Sequence, residues 1–489
     1  MEKKLYPLRF IPVASRRPWG GHDLMKKLGK VFVECDEDGN EKEISIDELI
    51  GESWEVADMG VEDSVVKDGW LAGNTLSDLM ETYLEKIVGE DVYKYYGRQF
   101  PLLIKFLDIH EKLSVQVHPD DDVAAERYDS LGKAEIWYVM DAEPDAKVYM
   151  GFNRDVSAQE FYDRCHNGTV DEIMNVITPR KGDAIYVAPG TVHAAEGGIL
   201  IAEIQESSDM TFRLYDWGRE FNPATARQMH LDEAIDLIDY KKFNEGLYRK
   251  GPLWGESAST EPCVVPPSFM TCNCGDEHCN CGPDCTCGCQ EGKECTCEGE
   301  CTCGCQEGKE CTCEGECTCG CQEGKECTCE GECTCGCHEG EECTCGCHAE
   351  EAVHHHCASH HHDDKIAEIL VESPQFNVTK INLKDPLHIY TEQFGSFIIY
   401  MCPEGEASIQ VPVKNPDGTE AMDNYIIRTG ETILIPAQMG DFYLVPRDRD
   451  TVLLEAVTRP VDEVDGYIDP ETDAFLEDED YEGLEDGEL

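Results

Sequence analysis

The stretch CTCGCQEGKECTCEGE occupies residues 285–300 and recurs unchanged from Cys301 and again from Cys317. A diverged copy runs from Cys333 to His348. Residues 272–347 hold 25 cysteines, mostly as Cys-x-Cys, and histidines follow at His354, His355, His356, His360, His361 and His362. Cysteine aside, this stretch has almost no apolar side chain, so it has nothing with which to build a hydrophobic core. That divides the chain. Whatever folds by burying apolar surface must lie in residues 1–260 and 366–461, with 261–365 as an irregular Cys/His-rich insertion. Residues 462–489 are an acidic tail with few apolar anchors, and disorder is expected there.

Acidic residues outnumber basic ones by 101 to 40, a formal net charge of −61. Nucleic acid and anionic membrane surfaces need basic partners, so both are excluded as expected ligands, whereas metal cations are favoured. No apolar run of about 18 residues is long enough to span a bilayer. The opening MEKKLYP lacks the apolar core of a secretory signal. A cytoplasmic, reducing compartment is therefore expected, and the 30 cysteines read as thiols or metal ligands rather than a disulfide frame. The insertion resembles a metallothionein. Its thiolates would wrap around ions, with metal binding supplying the folding energy. Four thiolates per Zn²⁺ gives room for about six ions, and Cu(I) or Cd²⁺ would also suit.

The flanking parts are strand-rich. In Leu113-Ser114-Val115-Gln116-Val117-His118 the valines share one face, and Ser114, Gln116 and His118 share the other. Residues 134–140 form a strand that opens on Glu135. Residues 182–190 read as a strand ending in the Pro189-Gly190 turn, just before His193. One or two more strands follow up to Gln205, broken at Gly197-Gly198. Residues 157–176 and 231–243 have helical spacing. Short apolar strands resume over 376–413 and 425–455. Many short strands with Gly/Pro turns predict a mainly β fold, a barrel or sandwich, with a small helical portion.

On a closed barrel, inward-facing residues of neighbouring strands can converge on one ion. Gln116, His118, Glu135 and His193 make a borderline N/O donor set that suits a catalytic Zn²⁺ with an open position. For Arg213 the alternatives are a pocket cation or a surface residue paired with Asp209 or Asp216. For Lys105, inside an apolar strand, they are a pocket or a sheet-edge position, because burying an unpaired ammonium is costly.

Several segments resemble type I mannose-6-phosphate isomerases: LYPLRFIPVASRRPWGG at 5–21, LLIKFLDIHEKLSVQVHPDD at 102–121, LGKAEIWYVM at 131–140, GDAIYVAPGTVHA at 182–194 and SSDMTFRLYDWGR at 207–219. The resemblance covers residues 5–250 and, more faintly, 370–460. It implies a cupin (jelly-roll) fold, with a catalytic cupin domain in 1–260 and a second cupin-like β domain in 366–461. It implies one zinc held by Gln116, His118, Glu135 and His193, catalytic roles for Arg213 and Lys133, and substrate contacts from Lys105 and Ser114. The implied reaction interconverts mannose 6-phosphate and fructose 6-phosphate through an enediol(ate), so a sugar phosphate and metal ions are the expected partners. Spacing identifies no proton-transfer base; a zinc-bound water, a lysine of lowered pKa and a histidine stay open. The chain departs from the family in its insertion and at Ala195. The competing reading is a catalytically inactive cupin that binds sugar phosphate or stores metal.

Overall fold

The computed structural model of the chain describes residues 3–35, 40–224, 226–250, 366–414 and 418–458. The cysteine repeat, the histidine run and the acidic tail lie outside the described residues. Among the described residues strand dominates, as the sequence predicts, and no helix is long and apolar enough to cross a membrane.

The first β portion is two antiparallel sheets face to face. The larger runs in the order Val13–Ser15, Glu52–Val56, Leu102–Ile109, Ile199–Glu206, Glu135–Ala142, Ala184–Val187, Arg249–Lys250. The smaller runs Phe212–Tyr215, Val115–Val117, His193–Glu196, Lys147–Phe152, Met174–Ile177. The second β portion repeats the plan with a five-stranded sheet ending on Ala367–Glu372 and Thr432–Ile435 and a four-stranded sheet ending on Leu387–Ile389 and Glu420–Arg428.

Alternation along each strand explains where the site lies. In the larger sheet Leu102, Ile104, Phe106, Ile136, Tyr138, Met140, Ala202 and Ile204 point outward. They share a core with Phe376, Val378, Phe397, Ile399 and Leu454 of the second β portion, so that face is covered rather than wet. Opposite parity points into the first barrel. At one end of that interior, Ile109, Val139, Ile185 and Ile201 meet Val148 and Met150 of the smaller sheet in an apolar plug. At the other end the same parity brings Lys105, Glu135, Glu203 and Gln205, all buried. The barrel is therefore apolar at its base and charged towards one opening. Backbone bonds between Leu8 and Leu434 (2.8 and 2.9 Å) add a further tie between the two β portions.

The helical expectations are met only in part. Ser157 caps a helix over Ala158–Asn167, which Gly168 ends at φ 69°. Beyond it Met174–Ile177 is an edge strand of the smaller sheet, not helix. Of 231–243 only Leu231–Ala234 is α-helical. There the backbone bonds Asp239 N to Gly190 O (2.9 Å) and Phe243 N to Phe152 O (2.8 Å) tie the chain to the barrel in place of helical partners.

Candidate active site

Two histidines define the centre. His118 follows the strand Val115–Val117, and His193 opens the neighbouring strand, with its Cα opposite Gln116. The Pro189-Gly190 turn ties them: Gly190 N donates to His118 O at 2.9 Å. Gly190 has φ +80°, and a Cβ there would sit 2.9 Å from Leu237 O, so the turn requires glycine.

Each ring is oriented by a backbone carbonyl. His118 Nδ1 lies 3.0 Å from Met210 O, and His193 Nδ1 lies 2.9 Å from Thr191 O. A carbonyl only accepts, so both Nδ1 atoms carry the proton and both Nε2 atoms present lone pairs. These face the Glu135 carboxylate, with Oε1 at 3.6 Å from His118 Nε2 and 3.3 Å from His193 Nε2. Ligand atoms of the three residues all lie within 4.8 Å of one another, and all three side chains are buried. Neither Glu135 oxygen has a hydrogen-bond partner, although both are buried. Burial pushes His118 down to about 3, helped by the Lys133 ammonium, so its ring is neutral. Burial works the other way on Glu135, but the Lys133 ammonium overrides it and holds the carboxyl well below the usual carboxylate range.

Two lone pairs and an under-bonded carboxylate, enclosed together, fit a divalent cation, and the donor set is the one zinc takes in open sites. Gln116 sits at the edge of the cluster, its Nε2 3.1 Å from His193 Nε2, while Ser114 Oγ donates to its Oε1 at 3.4 Å. Turning the terminal amide over exchanges its nitrogen and oxygen. Lys133 is drawn into the cluster, Nζ 3.3 Å from Glu135 Oε2 and 3.2 Å from His118 Nε2.

A second layer of charge continues along the interior face. Lys105 is buried, not at a sheet edge; its Nζ donates to Gln205 Oε1 at 2.8 Å and lies 3.6 Å from Glu203 Oε2. Trp137, whose ring meets His193 edge-on at 5.6 Å, donates from Nε1 to Glu203 Oε1 at 2.9 Å. Burial pushes Glu203 up to about 7 despite Lys105. Arg17 forks onto Glu52 (2.8 and 3.2 Å), and Trp54 Nε1 donates to the same carboxylate at 2.6 Å. Burial opposes ionisation of Glu52, yet Lys105 and Arg17 hold it down to about 2. Arg213, whose Cα lies opposite Gln116, donates from one Nη to Gln228 O at 2.8 Å, and its buried Nε has no partner. Asp216 is held instead by Arg219 (2.6 Å) and Arg227 (2.5 Å). Burial and Arg227 pull Arg213 down to about 10, with Arg17 adding further repulsion. The fold thus gathers an arginine cluster beside the ligand cluster.

All eight residues picked out in the sequence lie in this one barrel. Glu203, Gln205, Glu52, Trp137 and Arg17 were not picked out. A signal for two of them exists in ILIAEIQE at Ile199–Glu206, where Glu203 and Gln205 share the parity of Ile199 and Ile201.

Residues 8–146 match the family model for the catalytic domain of phosphomannose isomerase type I. Mannose-6-phosphate isomerase ManA of Bacillus subtilis is 36% identical over 240 residues, covering 49% of this chain and 70% of that protein. This chain belongs to the type I phosphomannose isomerase family. Mannose-6-phosphate isomerase of Streptococcus mutans is 34% identical over 236 residues, 48% of this chain and 69% of that one. Solved structures of the family agree on the cupin fold. The Bacillus subtilis mannose 6-phosphate isomerase has a TM-score of 0.56 at 20% identity, covering 92% of this chain and 99% of that chain. A variant of the Salmonella typhimurium phosphomannose isomerase has a TM-score of 0.53 at 12% identity, with the same coverage.

Proposed function

We propose that this chain interconverts mannose 6-phosphate and fructose 6-phosphate, with one Zn²⁺ held by Gln116, His118, Glu135 and His193. The observation that carries the reading is the cluster itself: two Nε2 lone pairs and a carboxylate that accepts no hydrogen bond, all enclosed within 4.8 Å. Family membership supplies mannose 6-phosphate, the substrate in the names of its relatives, and aldose–ketose isomerisation makes fructose 6-phosphate its partner.

A bound zinc ion would supply Lewis acidity towards O1 and O2 of the open-chain sugar. The rest is the work of the chain's own groups. Glu203, at about 7, is poised to take a proton from one carbon and return it to the next. Trp137 and Lys105 orient that carboxylate from either side. Lys133 faces the reacting end and donates to the negative charge that develops on the enediolate oxygens. Arg213 provides a planar donor for the phosphate dianion, and Arg17, forked onto Glu52, adds positive charge nearby. Lys105 and Ser114 are donors for sugar hydroxyls.

The test is formation of fructose 6-phosphate from mannose 6-phosphate by the purified full chain, before and after dialysis against a chelator. Turnover that disappears on chelation and returns with Zn²⁺ is expected. Full turnover in metal-stripped protein refutes the zinc assignment, and no turnover in the zinc-loaded protein refutes the isomerase.

Residues 261–365 are read as a thiolate segment that binds soft metal ions, in keeping with a reducing, cytoplasmic compartment. Metal-to-protein ratios by mass spectrometry well above one, falling to about one when 272–362 are excised, are the expected result.

A further inference from the structure

Lys133 reaches the ligand cluster from a short turn whose three consecutive backbone amides are all tied down. Gly132 N donates to Asp121 Oδ1 at 3.0 Å, Lys133 N to Pro119 O at 3.0 Å, and Ala134 N to Glu206 Oε2 at 2.6 Å. A Cβ on Gly132 would lie 2.6 Å from Asp121 N, so the turn is seated directly on the start of the helix Asp121–Tyr128. Two of the three acceptors are carboxylates. Glu206 is 1% exposed, and its second oxygen, Oε1, is buried without a donor. From the second β portion Gln375 Nε2 donates to Asp121 Oδ2 at 3.2 Å.

The amides on either side of Lys133 each need an acceptor, and the Asp121 and Glu206 carboxylates supply them. Burial, reinforced by Asp121, raises Glu206 well above the usual carboxylate range. We propose that Asp121 and Glu206 form a clamp that positions Lys133 against the metal ligands. They are positioning residues that act through the backbone on either side of Lys133. Gln375 extends the clamp to the strand Asn377–Leu383, so the second β portion helps to set the geometry of the site. The assignment of Lys133 to the reacting end of the sugar underlies the kinetic part of this proposal.

The test compares Glu206→Gln with Glu206→Ala in the full-length zinc-loaded protein. Glutamine keeps an acceptor for Ala134 N. It should leave kcat within about threefold of wild type. Alanine frees Ala134 N, and a displacement of Lys133 by about 1 Å should lower kcat on the order of 10- to 100-fold with KM little changed. An amine-acylating reagent with peptide mass spectrometry gives a readout independent of turnover. Lys133 and Lys105 are both 5% exposed. Lys133 should become labelled in Glu206→Ala while Lys105 stays protected and Glu206→Gln stays like wild type.

Lys133 protected in Glu206→Ala, or labelled in parallel with Lys105, overturns the clamp. Unchanged kcat in Glu206→Ala also overturns it in a protein that turns over mannose 6-phosphate. Glu206→Gln behaving as Glu206→Ala overturns the role of the Glu206 oxygen as the acceptor that holds Ala134 N. If wild type does not isomerise the sugar, that reading fails alone and the labelling still decides the clamp. Should Glu206→Ala not fold, Asp121→Ala frees Gly132 N and carries the same comparison.

Discussion

Replacing Glu203 by glutamine should move turnover and stability in opposite directions. The carboxyl is enclosed, and burial pushes it up from 4.5 to about 7. Between those values the folded protein holds a proton that the unfolded chain has released. Its contribution to stability is therefore full below the unfolded value and is lost as pH rises through the folded one. At about 1.36 kcal/mol per unit, the loss by pH 8 is ~3 kcal/mol. Glutamine resembles the protonated acid in shape and hydrogen bonding and cannot ionise. In metal-free protein, Glu203→Gln should match wild type near pH 5 and exceed it by ~3 kcal/mol at pH 8, a rise in Tm on the order of 5 °C. Chelator must be present, because a nearby dication would itself pull the carboxyl down.

The same variant, loaded with zinc, should lose about 10²- to 10⁴-fold in kcat, the usual contribution of a general base. The rising limb of the wild-type kcat/KM profile, at or below pH 7, should vanish with it. Urea titrations at pH 5 and pH 8, with progress curves across the same range, provide the measurements. An equal stability difference at both pH values would show that Glu203 is ionised in the folded protein. Turnover within about threefold of wild type would place the base elsewhere.

Trp137→Phe removes the N–H that stabilises the ionised Glu203, so the rising limb should move to higher pH by roughly one unit, given about 1.5 kcal/mol for a charged hydrogen bond; an unmoved profile contradicts the contact. Arg213→Lys keeps the charge but loses the fork, and kcat/KM should fall about 10- to 100-fold, measured against mannose 6-phosphate. Zinc at roughly 100 times its Kd should stabilise the stripped protein by about 2.7 kcal/mol in a thermal-shift titration, and Glu135→Ala should abolish that shift. Excision of 272–362 should leave kcat unchanged, because every group assigned to the reaction lies in the first barrel; a tenfold loss would implicate the insertion in catalysis.

The candidate cluster was legible because a strand writes its faces into the sequence. Gln116 and His118 alternate with Val115 and Val117, and a polar face inside a valine frame has few uses other than an interior site. Glu135 and His193 were legible as strand openings beside recognisable turns. Partnership was harder to read. Nothing in LLIKFLDI says that Lys105 will lie across from Glu203, since that pairing depends on two strands nearly a hundred residues apart becoming neighbours. The outward parity of the same strands also misleads when read alone. Tyr138 and Phe106 look like the second face of a buried strand, and only the fold shows that Phe376 and Phe397, on the far side of the insertion, cover that face.

These two facts bear on one another. The large sheet has no wet face: one side is sealed by the second β portion and the other lines the site. Water therefore screens the interior charges only from the open end, which is why Glu52 and Glu203, both on strands of this sheet, diverge so far. Glu52, with Arg17 and Lys105 on it, ionises readily; Glu203, left with a share of Lys105, does not. A substitution that opens the outer face, such as Phe397→Ala, should cost about 3–5 kcal/mol in stability. If enclosure by the second β portion sets the acid–base properties of the site, the same substitution should also lower the apparent pKa of Glu203 in a pH profile. A destabilised variant with an unshifted profile would show that the first barrel tunes its carboxylates without help from the second.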